Sequence, residues 1–220
     1  MADLIGVSGR FFPNWPYRDA LQWMSEERES VLRGAPGTIA LGYHQSSVIT
    51  LGRHTPEGQI LSPERAQASQ VEIFPIDRGG GATIHGPGQI VIYPVVNARS
   101  LKLSVKGVTE ALEHVVVDLA AAYGAVATGI PGRPGVYVQG KKLGAIGFHM
   151  RRGVMTHGLA ININNDLDVF SLISPCGVLG QQVTSLQAIT GKPVDEAFLA
   201  RQTWRFVCQH LGVSHSELLL

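Results

Sequence analysis

The chain has 220 residues and a formal net charge of +1, with 45% hydrophobic and 16% charged residues. This globular balance excludes a disordered chain, and a charge so near zero excludes a dedicated nucleic-acid binder, which needs a basic excess gathered into a patch. The length suits a single domain over residues 1–220 with a sizeable core. The opening Met1-Ala2-Asp3-Leu4-Ile5-Gly6 lacks a basic segment followed by an apolar one. The uncharged run Gly79 to Ala98 is broken by Gly, Pro, Gln and His and makes a poor membrane span. Two cysteines, Cys176 and Cys208, make no disulfide framework. The expectation is a cytoplasmic protein with reduced thiols and no membrane segment.

Tyr17 to Leu32 carries Ala20, Leu21, Met24, Arg28, Val31 and Leu32 along one side, the spacing of a helix closed by Gly34. Thr38 to Tyr43 and Val48 to Leu51 are β-favouring runs around His44-Gln45-Ser46-Ser47, the pattern of a hairpin. A short helix follows Pro63, and Val71 to Ile76 is a strand delivering the chain to Arg78-Gly79-Gly80-Gly81-Ala82-Thr83-Ile84-His85-Gly86-Pro87-Gly88-Gln89. Five glycines in those twelve residues are a demand on backbone, because glycine lets a ligand lie directly against main-chain N–H groups. The chain returns as a strand from Gln89 to Val96. Ser104 to Tyr123 is the clearest helix, with Ser104 as N-cap and Val105, Val108, Leu112, Val115, Val116, Leu119 and Ala122 at helical spacing. Gly129 to Gly135 reads as a Gly/Pro-rich loop able to move over a site.

From Gly135 the pattern is an antiparallel meander: Val136 to Val138, Lys142 to Met150, then Val154 to Asn164, with turns at Gln139-Gly140-Lys141 and Arg151-Arg152-Gly153. Gly144, Ala145 and Gly147 are too small to fill a core, so a ligand or another backbone is expected against them. Ser174-Pro175-Cys176-Gly177 is a turn, Ser185 to Ile189 a short helix, and a final helix from Asp195 places Ala197, Ala200, Trp204, Val207, Cys208 and Leu211 on one stripe. That spacing makes Cys208 a core residue.

A cysteine between proline and glycine is exposed by its context, and Cys176 is the candidate nucleophile. A free thiol, with a pKa of about 8.5, is only a few per cent thiolate at pH 7, so it needs a cation or a base nearby. Lys142, His85 and His157 are the available partners, and spacing does not choose among them. His54, His85, His149 and His157 lack the paired spacing of a zinc site, no CxxC occurs, and no metal is expected. The triple glycine is followed by neither lysine nor a helix start, so it is not a nucleotide phosphate loop.

Four stretches in this order resemble the octanoyltransferases of lipoate biosynthesis: Arg78 to Gln89, Lys142-Leu143-Gly144-Ala145-Ile146-Gly147, Thr156-His157-Gly158-Leu159-Ala160-Ile161-Asn162, and Asp166-Leu167 through Pro175-Cys176-Gly177 to Val183-Thr184-Ser185-Leu186. The sequence departs from that family at Gly42 to Ser47, where a Glu-His-Pro-Pro-like turn is expected, and at Ala82 and Ile84. The resemblance implies a mixed α/β fold of the biotin/lipoate ligase type: a largely antiparallel sheet and a smaller one, flanked by helices. Helices on one side of the main sheet, and a smaller sheet built from the later meander, are the further expectations.

By the same resemblance Cys176 carries the acyl group as a thioester and Lys142 lowers its pKa and handles protons. Arg78, Gly79, Gly80, Gly81, Ala82, Thr83, Ile84 and His85, with Ala145, Ile146, Gly147, Gly158, Leu159 and Ala160, line the acyl site, and His157 is a supporting residue. No cofactor is implied. The implied partners are acyl carrier protein bearing octanoyl-phosphopantetheine and the lipoyl domains of 2-oxoacid dehydrogenase complexes and the glycine cleavage H protein. The alternative enzyme on such a fold is an ATP-dependent lipoate or octanoate ligase, which has no use for Cys176.

Overall fold

The structure, a computed structural model, describes residues 5–174, 181–214 and 218–219. A short strand β1 (Ile5–Gly6) precedes β2 (Ser8–Trp15) and helix α1 (Tyr17–Leu32). Strands β3 (Thr38–His44) and β4 (Val48–Leu51) follow, then α2 (Pro63–Ala68), β5 (Glu72–Pro75), β6 (Ala82–His85), β7 (Gln89–Val95) and α3 (Val105–Ala122). Four successive strands, β8 (Thr128–Ile130), β9 (Arg133–Val138), β10 (Lys141–Arg151) and β11 (Val154–Asn162), complete the main sheet's centre and one flank. A 3-10 turn (Asp168–Leu172), α4 (Leu186–Thr190), α5 (Glu196–Leu211), β12 (Val213–Ser214) and β13 (Leu218–Leu219) end the chain.

The main sheet has the order β13-β2-β3-β7-β11-β10-β9-β8, antiparallel except where β13, β2 and β3 run parallel. Alternation along its central strands makes two cores. Ile39, Leu41, Ile90, Ile92, Leu159 and Ile161 face α3 and α5, while Ala40, Val91, Tyr93 and Ala160 face α1. Helices therefore cover both faces, and the expectation of helices on one side is corrected. The central strands are apolar at nearly every position because neither face meets water.

The smaller sheet is β5-β4-β6, built by the chain around the glycine stretch, and the meander β9-β10-β11 belongs wholly to the main sheet. The expected origin of the small sheet is corrected accordingly. For the same reason residues 44–47 are not a hairpin tip: both edges of β3 are taken by β2 and β7, and both edges of β4 by β5 and β6. Residues 44–47 are the step from one sheet to the other. The Gly/Pro-rich stretch 129–135 is not a loop over a site but the paired strands β8 and β9 around Pro131-Gly132.

Caps fix the helices as their sequence suggests. The side chains of Ser104, Ser185 and Asp195 accept from the N–H groups of Gly107, Ala188 and Phe198, each in the first turn. Cys208 is 1% exposed and sits in the main core, whereas Ala197 falls outside the buried stripe of α5. Among the described residues no helix is long and apolar enough to cross a membrane.

Candidate active site

The glycine stretch is held from beneath by Arg78. Its side chain is buried at 6% exposure and donates to the Thr50 carbonyl at 2.9 Å, the Thr50 hydroxyl at 2.8 Å and the Gly79 carbonyl at 2.9 Å. A guanidinium with fixed donors is suited to tying several backbone oxygens together. The stretch then crosses to β10, where the Gly79 N–H donates to the Phe148 carbonyl at 3.1 Å. A Cβ on Gly147 would lie 3.1 Å from the Gly79 oxygen, so this small residue admits the neighbouring backbone. Gly144 has a different neighbour: a Cβ there would meet Val116 of α3 at 2.9 Å. The small residues of β10 thus make room for protein on both faces as well as for a cleft.

That cleft, of about 740 Å³ including the part open to solvent, lies between the glycine stretch and strands β10 and β11. From the predicted set, Arg78, Gly80, Ala82, Thr83 and His85 line it, together with Lys142, Ala145, Ile146, Gly147, His157, Gly158, Leu159 and Ala160. Gly79, Gly81 and Ile84 do not; Ile84 is buried with Ile49 and Phe170 under the small sheet. Sequence reasoning missed Gln89, Tyr93, Leu143, Asn162, Phe170 and Val183, which complete the lining. Gln89 and Asn162 stand at the ends of β7 and β11, where a polar residue reads as exposed.

Lys142 is 6% exposed. Its N–H donates to the Gln182 carbonyl and its own carbonyl accepts from the Thr184 N–H, both at 2.9 Å, so the start of β10 is bound to the chain at 182–184. Its ammonium lies 5.5 Å from the centre of the Tyr137 ring, a cation–π distance. Gly135 opposite has φ of +127°, and a Cβ there would stand 2.6 Å from the Gly144 oxygen and 2.8 Å from Lys142 Cε. Only glycine fits that approach. Cys176 lies outside the described residues; the chain before it ends at Ser174, whose N–H donates to the Gln59 carbonyl at 2.8 Å, and resumes at Gln181, two residues before Val183 in the cleft wall.

A polar relay runs beneath the cleft. Gln89 donates its amide to the Ile84 carbonyl at 3.1 Å and to Asn162 Oδ1 at 2.9 Å, and Asn162 donates to the Thr184 carbonyl at 2.9 Å. Gln89 Oε1 therefore accepts from His85 Nδ1 at 2.8 Å, which leaves His85 Nε2 as the unprotonated nitrogen of a neutral ring. Burial, with neighbouring His44 reinforcing it, pushes the His85 pKa down to about 3. His44 is fixed in the same way: Nδ1 donates to the Trp15 carbonyl and Nε2 accepts from the Tyr93 hydroxyl, each at 2.9 Å, while burial lowers its pKa to about 4. His85 is thus a neutral hydrogen-bonding group in the floor.

At the other end of the glycine stretch His149 and His157, neighbours on the paired strands β10 and β11, converge on Asp77. His157 Nε2 donates to Asp77 Oδ1 at 2.9 Å, His149 Nδ1 lies 2.7 Å from Oδ2, and Arg28 of α1 lies 3.7 Å from Oδ2. The hydrogen bond from His157 holds the Asp77 carboxyl far below the usual carboxylate range, with the positive character of both imidazoles adding to it against burial. Burial lowers the pKa of His157 in turn, while the bond to Asp77 opposes that shift. His157 has φ of +57°, rare for a residue bearing a side chain within a strand, and Gly158 follows at φ of +153°.

The sequence matches the lipoyl protein ligase A/B catalytic domain over residues 16–203. It is similar to the octanoyltransferase of Alkaliphilus metalliredigens, with 41% identity over 181 residues covering 81% of this chain and 83% of that protein. It is also similar to the octanoyltransferase of Pseudomonas fluorescens, with 34% identity over 199 residues covering 90% and 89%. In shape it is similar to a bipartite lipoate protein ligase of Thermoplasma acidophilum, with a TM-score of 0.73 over 97% of this chain and 88% of that one; at 16% identity this likeness concerns the fold. The chain belongs to the lipoyl protein ligase A/B catalytic-domain family and, within it, to the octanoyltransferases.

Proposed function

We propose that this protein transfers an octanoyl group from octanoyl-acyl carrier protein to a lysine of a lipoyl domain, through a thioester on Cys176. The observation that carries the reading is the buried Lys142 in the wall of a narrow cleft, its backbone bound to the chain at 182–184 that follows Cys176. A cation about 4 Å from a thiolate, at an effective dielectric near 20, is worth about 4 kcal/mol before solvent screening, roughly three pKa units. Half of that leaves Cys176 about half ionised at neutral pH, against a few per cent for a free thiol.

In the first half-reaction the Cys176 thiolate attacks the thioester carbonyl of the carrier-bound octanoyl group, and the phosphopantetheine thiolate leaves with a proton from Lys142. The acyl chain lies in the cleft against Ala145 to Gly147 and Gly158 to Ala160. In the second, the lysine amine of the lipoyl domain attacks the Cys176 thioester, its proton passes to Lys142, and the Cys176 thiolate is released. Exchange between thioesters is nearly balanced and amide formation is downhill, so the donor supplies the driving force. The two protein substrates take turns at one site, giving ping-pong kinetics. The setting is the cytoplasm, with the lipoyl domains of 2-oxoacid dehydrogenase complexes and the glycine cleavage H protein as acceptors.

Incubation with octanoyl-acyl carrier protein followed by intact-mass analysis tests this. The expected result is one octanoyl group gained, released by hydroxylamine and absent from Cys176→Ala. Transfer of free octanoate with ATP, retained in Cys176→Ala, would instead identify a ligase. Lys142→Ala should slow acylation by at least about a hundredfold, the scale of a positioned proton-transfer group, and should move the pH profile of Cys176 alkylation upward.

A further inference from the structure

We propose that Asp77 and His157 form a clasp that holds the two walls of the acyl cleft at a fixed spacing, and so sets which acyl chain length the cleft admits. This rests on the acyl-transfer reading. Asp77 is the residue immediately before Arg78, where one wall begins, and His157 is the first residue of β11 to line the facing wall. Their 2.9 Å hydrogen bond joins the two walls at their first residues.

The backbone of β11 is distorted to make that bond. His157 pairs in register with Phe148, between Met155 and Leu159 of the same strand, all of them packed with the core beneath α3. Regular alternation would send its imidazole the same way. Instead its left-handed φ, unfavourable for a residue with a side chain, brings the ring to the carboxylate that His149 also approaches, although His149 is adjacent to Phe148 and alternates with it. Gly158 cannot absorb the turn with a side chain, since a Cβ there would lie 2.6 Å from the Ile92 oxygen. A departure from strand geometry that serves one hydrogen bond, at the edge of a cleft, marks a functional constraint.

Among the described residues the carboxylate is approached by Arg28 from α1, His149 from β10 and His157 from β11. Arg53 donates to His149 Nε2 at 3.1 Å, and His149 Nδ1 lies 2.7 Å from Asp77 Oδ2. Asp77 is therefore a fixed anchor, and His157 is a positioning residue with respect to the transferred group.

Calorimetric binding of octanoyl-pantetheine and dodecanoyl-pantetheine to the Cys176→Ala protein provides the test. Adding His157→Gly, which keeps the left-handed backbone and loses the donor, or Asp77→Ala, which loses the acceptor, is expected to weaken octanoyl binding about tenfold, the scale of one charge-assisted hydrogen bond, and to narrow the ratio between the two chain lengths by a similar factor. His157→Gln carries an amide N–H where Nε2 stands, and Gln139 adopts a left-handed backbone in this same chain; it should stay within about twofold of the parent. Unchanged affinity and ratio in His157→Gly and Asp77→Ala overturn the clasp, as does an equal loss in His157→Gln. If His157→Gly fails to fold, Asp77→Ala decides, because that side chain is 41% exposed. Absence of binding by either probe to the parent protein overturns the acyl reading itself.

Discussion

Each of His44 and His85 has a fixed tautomer and a buried ring, and this makes the floor of the cleft sensitive to acid. Their folded pKa values, about 4 and about 3, lie below the unfolded value of about 6.5. Between those limits the unfolded chain binds more protons than the folded one, so stability falls as pH drops below about 6.5 and goes on falling toward pH 4, by up to about 1.4 kcal/mol per pH unit for each ring. Urea unfolding at pH 7.5, 6 and 5 should show this slope, and His44→Gln should remove about one proton from it. Asp77 has the same sign at lower pH: its depressed pKa contributes stability above the usual carboxylate range that is lost as the pH falls through it. Gly135→Ala is the sharpest backbone test, since its Cβ would displace the Lys142 stem; at least a tenfold loss of kcat with little change in KM is the expected outcome, read by steady-state kinetics. Cys208 was legible as a core residue from helical spacing alone. Gln89 and Asn162 were not, because a polar residue at a strand end reads as exposed until its partners across the sheet are known.

At the scale of elements, α1, α3, α5 and the meander were legible because each obeys one period along its length and ends in a recognisable cap or turn. Gln139-Gly140 and Arg152-Gly153 both have positive φ at two successive residues, the hairpin turn that their composition announces. What was not legible is which sheet a short strand joins. β3 and β4 look like partners in sequence, yet each finds two other neighbours, since pairing is decided by edges that only the folded chain supplies. The contact of β10 with α3 makes a prediction here. Gly144→Ala places a methyl group 2.9 Å from Val116 and should destabilise the protein by about 1–3 kcal/mol. Val116→Ala in the same chain should recover part of that loss, and a double-mutant cycle in denaturant would reveal the coupling.

Across the whole molecule, each of the four stretches on which the resemblance rests contributes residues to one cleft where it is described, although they come from both sheets and from the chain at 182–184. Their order in sequence was visible; their convergence was not, because it depends on β11 lying between β7 and β10. The bond between Lys142 and residues 182–184 carries a consequence for folding order. The hairpins β9-β10 and β10-β11 close through short turns and can form early, whereas the seat of Lys142 waits for a segment some forty positions away. Such a seam opens by local unfolding at a lower free energy than the sheet behind it. In native-state hydrogen exchange at rising urea, the amides of Lys142 and Thr184 should lose protection before those of Leu159 and Ile161. The seat of Lys142 is then the last part of the cleft to form on folding and the first to open under stress.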